Sequence, residues 1–175
     1  VAVSDGSTRY NRFWFVKPDG EVIKYDKKHL FTYGGEQHSF TGGDERVVVE
    51  WRGVRFLLLV CYDLRFPVWA RNRGDYDAIL CVASWPTVRR YPWDTLLRAR
   101  AIENQCFVAG VDRIRTEPNS SYNGGTVLLD PWGKAIVQAE DDCECVISAE
   151  LDLASLSTFR KNFPALAAAD DFRLV

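Results

Sequence analysis

Short apolar runs separated by turn residues organise the first third of the chain. Pro18-Asp19-Gly20 predicts a turn between two strands, and Arg52-Gly53 predicts a tight two-residue turn between two more. The arm that follows Arg52-Gly53 is apolar almost throughout, which is typical of a strand buried on both faces. The predicted hairpins are Arg12–Lys17 with Glu21–Tyr25, and Val47–Trp51 with Val54–Cys61.

The middle of the chain alternates between helical and strand periodicity. A short helix is predicted to begin at Phe66-Pro67, because proline is tolerated in a first turn, and to stop at Gly74. The strongest helical pattern covers Pro92–Gln105. The apolar residues on its predicted buried face are Leu96, Leu97, Ala101 and Ile102. The predicted strands on either side are Asp77–Ser84 and Cys106–Val111.

The last third of the chain predicts one more hairpin, a final strand and a final helix. Thr116–Asn123 is polar and is interpreted as a surface loop, and Ala165–Val175 as an extended tail. The predicted elements are the hairpin of Gly125–Asp130 with Ala135–Ala139, the strand Val146–Leu151, and a helix from Ala154 to Asn162 that ends before Pro164.

Strands therefore alternate with helices in the middle of the chain and with hairpins on both sides, which favours an α/β fold with a mixed sheet. A length of 175 residues suits one domain, and no internal repeat or linker divides the sequence. We interpret residues 1–175 as a single domain. Val1-Ala2-Val3 has the pattern of a strand already in progress and the chain contains no methionine, so we expect the protein to begin earlier.

Composition narrows the classes of function. The formal net charge is −2 and no long basic run is present, so no nucleic-acid partner is expected. No apolar stretch approaches the roughly 20 residues that span a bilayer, so no membrane partner is expected either. Five cysteines, with Cys81 and Cys106 inside apolar runs, are typical of a reducing, cytoplasmic compartment. Cys143-Glu144-Cys145 has no partner pair at zinc spacing, so no metal site is predicted.

Cys61 stands where an apolar strand ends and a helix is about to begin. Backbone N–H groups after the strand can point at the thiol, and the helix dipole adds to their positive potential. Both effects stabilise the reactive thiolate, and the same N–H groups can hold an oxyanion. An inert cysteine that closes a buried strand is the simpler interpretation of the position alone.

Lys27, Lys28 and His29 form an unusual cluster directly after a predicted strand. A solvated, charged turn is the simplest explanation of such a cluster. A lysine placed to stabilise negative charge at a thiol centre is the other explanation, and it gains weight only when Lys27 is considered together with Cys61.

Taken together, these segments make the chain resemble the nitrilase superfamily of carbon–nitrogen hydrolases. Within that superfamily, Ala83-Ser84-Trp85-Pro86 and Phe159–Pro164 are most similar to the omega-amidase branch. The matching segments run through almost the whole chain: Tyr10-Asn11-Arg12, Pro18-Asp19-Gly20, Lys27–Phe31, Cys61–Pro67, Arg98–Asn104 and Gly124–Gly133. The resemblance implies a four-layer α-β-β-α sandwich, present here as the C-terminal two-thirds of the domain without its N-terminal elements, and a homodimer.

The resemblance also implies a catalytic group of glutamate, lysine and cysteine, often with a second glutamate. Cys61 matches the nucleophile, Lys27 the lysine and Glu36 the supporting glutamate, with Lys28 as the rival of Lys27. The backbone N–H of Tyr62 is expected to join Lys27 in stabilising the oxyanion. The first glutamate, which is the general base of the family, is expected before Val1. No metal and no cofactor are implied.

Omega-amidases hydrolyse the terminal amide of short 2-oxo dicarboxylic monoamides such as 2-oxoglutaramate. The implied partner is therefore a small amide substrate that carries a carboxylate. Arg65 is a candidate to bind that carboxylate, as are Arg89 and Arg90, although a helix-terminal or surface ion pair is the simpler explanation of each. Phe31 and Trp85 are candidates for the pocket wall, and ordinary aromatic packing is their alternative.

Other functions stay open at this stage. A nitrilase, an N-carbamoyl amino acid hydrolase and a different aliphatic amidase use the same catalytic group. A Cys61–His38 dyad is typical of a different enzyme class and leaves the lysine cluster without a role. A binding or scaffold protein that retains the fold without turnover is the alternative outside enzymes.

Overall fold

A computed structural model of the chain describes residues 1–173. Eleven strands and three helices are present in this range. The strands are β1 (Ala2–Asp5), β2 (Thr8–Val16), β3 (Val22–Asp26), β4 (Val48–Trp51), β5 (Val54–Val60), β6 (Ala78–Ala83), β7 (Phe107–Asp112), β8 (Ile114–Glu117), β9 (Ser120–Asn123), β10 (Val127–Leu129) and β11 (Ala135–Gln138). The helices are α1 (Pro67–Ala70), α2 (Arg90–Asn104) and α3 (Leu153–Asn162).

Two main sheets carry the fold. β1, β2 and β3 form an antiparallel sheet in chain order. The second sheet has the order β11-β10-β7-β6-β5-β4, in which β5, β6 and β7 run parallel and the outer pairs run antiparallel. β8 and β9 form a separate two-stranded hairpin. The predicted mixed sheet is confirmed.

The six-stranded sheet is covered on both faces. Leu59, Cys81 and Gly110 align across β5, β6 and β7, and α2 packs on this face, with Leu97 against Gly110. Phe56 lies on the opposite face because strand side chains alternate, and its ring centroid is 6.1 Å from that of Phe15 in β2. Helix, sheet and sheet therefore form successive layers, as expected for an α/β sandwich.

Double coverage explains the apolar sequence of β5. Leu57, Leu58 and Leu59 point alternately to the two faces, and each is fully buried. The turn before β5 also has the predicted geometry, because Arg52 and Gly53 both have positive φ, 52° and 76°. Positive φ at both central residues is what a type I′ hairpin turn requires.

Three predicted elements differ from the structure. Thr116–Asn123 was expected to be a loop, but most of it belongs to the hairpin of β8 and β9. Its polar residues do not alternate with apolar ones, because this small sheet stands outside the main core. Val146–Leu151 was expected to be a strand, but residues 143–152 have no regular secondary structure. The first helix ends at Ala70 and does not continue to Gly74.

The predicted face of α2 is also partly wrong. Leu97 and Ala101 are fully buried, but Ile102 is 55 % exposed. The other buried residues of the helix are Trp93, Arg100 and Asn104, so the face that packs on the sheet differs from the predicted face. α3 appears where it was predicted. Part of the expected tail, Ala165–Ala168, is a 3₁₀ turn, and residues 174 and 175 of that tail lie outside the described residues.

No helix within residues 1–173 combines the length and the apolar character that crossing a bilayer requires.

Candidate active site

Lys27 lies directly after β3, where the chain leaves the three-stranded sheet. Its side chain is 4 % exposed, and its Nζ atom lies 2.6 Å from Oε2 of Glu36. Lys28 points elsewhere, with its ammonium 5.5 Å from the ring centroid of Trp69. Of the two rival lysines, Lys27 is therefore the one that lies beside Glu36.

Glu36 is held by three donors. Its carboxylate accepts hydrogen bonds from Lys27 Nζ, from the backbone N–H of Phe31 at 2.5 Å, and from the side-chain amide of Asn11. Gly35, with φ of 75°, supplies the left-handed turn that brings Glu36 back towards β3. An ionised carboxylate accepts and does not donate, so this arrangement of three donors fits Glu36 as the ion-pair partner of the buried Lys27.

Cys61 begins a 3₁₀ turn, Cys61–Arg65, at the end of β5. Its φ is 51°, a conformation that costs a residue other than glycine about 1–2 kcal/mol. The Sγ atom lies 3.8 Å from the backbone oxygen of Ser84, which follows β6. Lys27, Glu36 and Asn11 line the same cavity as Cys61. The lysine, the glutamate and the thiol predicted from the sequence are therefore neighbours in one cavity.

The charge balance at Cys61 has opposing contributions. Burial raises the pKa of the Cys61 thiol, and the Lys27 ammonium lowers it. The carboxylates of Asp112 and Glu36 raise this pKa further. Burial has the largest effect, so the thiolate depends on Lys27 as its nearby cation.

Asp112 ends β7 and is a buried carboxylate that the sequence prediction missed. One of its oxygens accepts from the backbone N–H of Trp85 at 2.7 Å and from that of Arg113 at 2.9 Å. Burial raises its pKa to about 6, while these two hydrogen bonds act in the opposite direction. Asp112 therefore holds the Ser84-Trp85 segment that contacts the Cys61 thiol.

A second cavity opens on the other side of the Cys61 thiol. Its wall carries two guanidinium groups, each over an aromatic ring: Arg65 lies 4.9 Å from the ring centroid of Trp85, and Arg89 lies 5.4 Å from that of Phe31. Neither arginine takes part in an ion pair among residues 1–173. Tyr62, Ser84, Pro86, Ser120 and Tyr122 complete the lining.

Arg90 differs from its neighbour Arg89. Its guanidinium is ion-paired with Asp94 and with Asp141, both at 2.8 Å, and it does not line this cavity. Of the three arginines that were candidates for carboxylate binding, Arg65 and Arg89 line a cavity together with Cys61 and Arg90 does not.

The remaining predicted site residues occupy clear positions. Tyr62 lies in the first turn after Cys61, where backbone N–H groups have no partner within the turn. His38 is exposed, and its ring nitrogen lies 3.2 Å from the side-chain nitrogen of Gln37. No hydrogen bond within residues 1–173 joins His38 to Cys61.

Besides Asp112, three residues of the site had been given no role from the sequence. Asn11 binds Glu36 from the middle of β2, and its place in the Tyr10-Asn11-Arg12 segment that matches the family is the signal that could have identified it. Ser120 and Tyr122 reach the cavity from β9. No sequence signal marked them, because this hairpin was interpreted as a loop.

Comparisons with known proteins agree with this arrangement. Residues 2–161 match the family model described as carbon-nitrogen hydrolase. The chain is 49 % identical to omega-amidase YafV of Yersinia enterocolitica over 176 residues, which cover 100 % of this chain and 69 % of the relative. It is 36 % identical to a 2-oxoglutaramate amidase of Bacillus subtilis, with 99 % of this chain and 66 % of that relative covered.

Solved structures give the same result. The crystal structure of XC1258 from Xanthomonas campestris, a CN-hydrolase superfamily protein with an arsenic adduct in its active site, superimposes with a TM-score of 0.96. Its sequence is 42 % identical, and the match covers 100 % of this chain and 69 % of that one. The chain thus spans about two thirds of the length of the relatives it matches.

Proposed function

The chain belongs to the carbon–nitrogen hydrolase family, and from this premise we propose that it hydrolyses the terminal amide of a small carboxylic acid through a thioester on Cys61. The observation that carries the proposal is the Lys27–Glu36 ion pair in the cavity that Cys61 lines. A buried ammonium held beside a thiol provides positive charge where negative charge develops during attack on a carbonyl.

In the proposed reaction, the Cys61 sulfur attacks the amide carbon and a tetrahedral oxyanion forms. Lys27 and the backbone N–H of Tyr62 stabilise that oxyanion. Its collapse breaks the C–N bond, releases ammonia and leaves a thioester, which water hydrolyses to the acid. Glu36 holds Lys27 in place through their ion pair. A general base is needed to accept the thiol proton and later to deliver it to ammonia. The family resemblance implies a glutamate in this role, and that assignment stays a prediction.

The second cavity supports a substrate with a carboxylate at the end opposite to the amide. Arg65 and Arg89 lack carboxylate partners among the described residues, and both line the cavity that Cys61 lines. A guanidinium binds a carboxylate with charge-assisted, often paired hydrogen bonds. The relative from Bacillus subtilis is a 2-oxoglutaramate amidase, and 2-oxoglutaramate fits this description. It is our proposed substrate class.

An ammonia-release assay tests the reaction. We expect turnover of 2-oxoglutaramate, and much slower turnover of an aliphatic nitrile and of an N-carbamoyl amino acid. Cys61→Ala should lower kcat by at least ~1,000-fold, because nothing replaces the nucleophile. Absence of ammonia from the 2-oxo amide would rule out the proposed substrate. Turnover that persists in Cys61→Ala would rule out the thioester.

The two neighbouring arginines provide a matched test of carboxylate binding. Arg89→Met should raise KM for 2-oxoglutaramate by roughly 10- to 100-fold with little change in kcat, since a charge-assisted bond is worth about 1.5–3 kcal/mol. Arg90→Met is the control, because that arginine is ion-paired away from the cavity. Pentanamide, a neutral amide without the carboxylate, should lose nothing in Arg89→Met. Equal effects of both substitutions would contradict the assignment.

A further inference from the structure

The Asp63 carboxylate lies two residues beyond Cys61 and is fully buried. Buried carboxylates are costly unless every acceptor site is occupied. Here the two oxygens of Asp63 accept four hydrogen bonds. Oδ2 accepts from the Tyr25 hydroxyl at 2.7 Å and from the backbone N–H of Val60 at 3.0 Å. Oδ1 accepts from the backbone N–H and from Nδ1 of His29, both at 2.9 Å.

The donors to Asp63 flank the two residues to which we assign the chemistry. Tyr25 comes two residues before Lys27 and His29 comes two residues after it. Val60 comes directly before Cys61, at the point where the chain enters the left-handed conformation of Cys61. A single side chain thus fixes the segment that carries the ammonium and the turn that carries the thiol.

The donors to Asp63 are themselves rigid. The Tyr25 hydroxyl accepts from Trp69 Nε1 at 3.1 Å and from the backbone N–H of Lys28 at 3.3 Å. The His29 ring stacks on Phe66, with ring centroids 3.7 Å apart. Movement of either segment therefore breaks several contacts at once, and hydrogen bonds in such a network support one another.

We propose that Asp63 is a positioning residue that sets the distance between the Lys27 ammonium and the Cys61 sulfur, and through that distance the acidity of the thiol. The inference rests on the roles proposed above for Lys27 and Cys61. Asp63 touches neither the substrate nor the sulfur in this proposal, and it acts by holding Tyr25, His29 and Val60.

The charge of Asp63 makes the inference testable by sign. Loss of a nearby negative charge, taken alone, lowers the pKa of a thiol. Loss of positioning instead weakens the attraction of Lys27 for the thiolate and raises the pKa. A purely structural role leaves this pKa unchanged and lowers only the stability of the fold.

The experiment measures the pH dependence of Cys61 alkylation by iodoacetamide in a Cys143→Ser, Cys145→Ser background. That background removes the partly and fully exposed thiols, and Cys81 and Cys106 are fully buried. We expect Asp63→Asn to shift the labelling midpoint upward by about one unit, which is a tenfold smaller thiolate fraction below the midpoint. An unchanged or lower midpoint would overturn the proposal.

Asp77→Asn is the matched control for lost stability. Asp77 also accepts four hydrogen bonds, from Arg55 and Arg160, but it lies outside the site. The Asp77→Asn variant should lower Tm and leave the Cys61 labelling midpoint unchanged.

If Asp63→Asn does not fold, Tyr25→Phe is the second variant that tests the proposal. It removes one donor to Asp63 without changing any charge and should shift the midpoint in the same direction by a smaller amount. A midpoint that Tyr25→Phe leaves unchanged would overturn the proposal in that case.

Lys27→Met in the same background tests the premise that this inference shares with the proposed function, namely that Lys27 stabilises the Cys61 thiolate. It should raise the midpoint at least as much as Asp63→Asn, and no shift would overturn both. Labelling requires no substrate, so a wild-type protein that releases no ammonia while Asp63→Asn still shifts the midpoint would count against the proposed reaction alone. Normal turnover with a midpoint insensitive to Asp63→Asn would count against the positioning role alone.

Discussion

At the scale of single residues, the buried carboxylates of the site differ in whether a cationic side chain pairs with them. Lys27 is 4 % exposed and keeps its partner Glu36 at 2.6 Å, while Asn11 and the N–H of Phe31 complete the shell of that carboxylate. Breaking such a pair leaves an uncompensated buried charge. No cationic side chain lies at hydrogen-bond distance from the Asp112 carboxylate among the described residues, and burial raises the pKa of this carboxylate to about 6.

The raised pKa of Asp112 predicts that Asp112→Asn stabilises the protein at neutral pH. As pH rises from the usual carboxyl pKa of 3.8 towards 6, the folded protein retains a proton that the unfolded chain releases, so stability falls across this window. Asparagine keeps an oxygen for the N–H groups of Trp85 and Arg113 and carries no charge. The variant should therefore have a higher Tm than wild type at pH 7.5 and the same Tm near pH 3.5.

The labelling of Cys61 provides a second measurement on the Asp112→Asn variant. Because the Asp112 carboxylate raises the pKa of Cys61, Asp112→Asn should lower the midpoint of iodoacetamide labelling. Equal Tm gains at pH 3.5 and pH 7.5 would show that packing, and not the buried charge, accounts for the difference.

The residue types of the site were predictable to different degrees. The family resemblance identified Cys61, Lys27 and Glu36 as candidates because their motifs are contiguous in the chain. The choice among Arg65, Arg89 and Arg90 was only partly predictable. The i,i+4 spacing of Arg90 and Asp94 marks one ion pair of Arg90. Its second partner, Asp141, lies 51 residues away, and no local pattern marks that contact.

At the scale of elements, the strand-to-turn junction at Cys61 depends on what surrounds it. β5 is predictable from its apolar run, and its hairpin turn from Arg52-Gly53. The left-handed conformation of Cys61 is not predictable, since cysteine has no preference for it. Asp63 accepts from Val60 on one side of this residue, and Ser84 accepts from the thiol on the other. These contacts stabilise a left-handed conformation that the local sequence does not favour.

Because α2 packs closely on the sheet at Gly110, we expect an added methyl group at this position to destabilise the fold. A Cβ atom there would lie 2.5 Å from Leu97 Cδ1 and 3.0 Å from Trp93 Cζ2. Gly110→Ala should therefore lower the free energy of unfolding by about 1–3 kcal/mol, measured by urea denaturation.

A double-mutant cycle identifies the cause of that cost. Leu97→Ala alone removes the colliding methyl groups and leaves a cavity, at a cost of about 2–5 kcal/mol. In the Leu97→Ala background, Gly110→Ala should cost clearly less than it does alone, because the added methyl group enters that cavity. Strict additivity would show that Leu97 is not the obstacle.

At the scale of the whole molecule, α3 is tied to the sheet through a contact that spans 83 residues of sequence. Arg160 Nη1 lies 3.0 Å from Oδ1 of Asp77, and Arg160 also donates to the backbone oxygens of Tyr76 and Gln105. Asp77 pairs with Arg55 of β5 as well. Sequence patterns predicted the strand and the helix separately, and the ion pair that joins them depends on the finished fold.

This contact predicts how the protein responds to acid. Burial raises the pKa of Asp77, but hydrogen bonds from Arg55 and Arg160 outweigh it and hold the pKa below the usual value of 3.8. A carboxylate with a depressed pKa stabilises the fold above its unfolded pKa, and this contribution is lost as pH falls through the folded value. Asp77→Asn should therefore be less stable than wild type at pH 7 and at pH 5, by the same amount at both.

Below pH 3.8 the difference between wild type and Asp77→Asn should shrink, because the unfolded wild-type chain binds a proton at Asp77 there, whereas the folded protein binds it only at a lower pH. Urea midpoints at pH 7, 5 and 3 measure it. Arg160→Met, combined with Asp77→Asn, isolates the part that belongs to α3, since the double variant should lose less than the sum of the single losses. A difference that persists undiminished at pH 3 would mean that Asp77 contributes through packing and not through its charge.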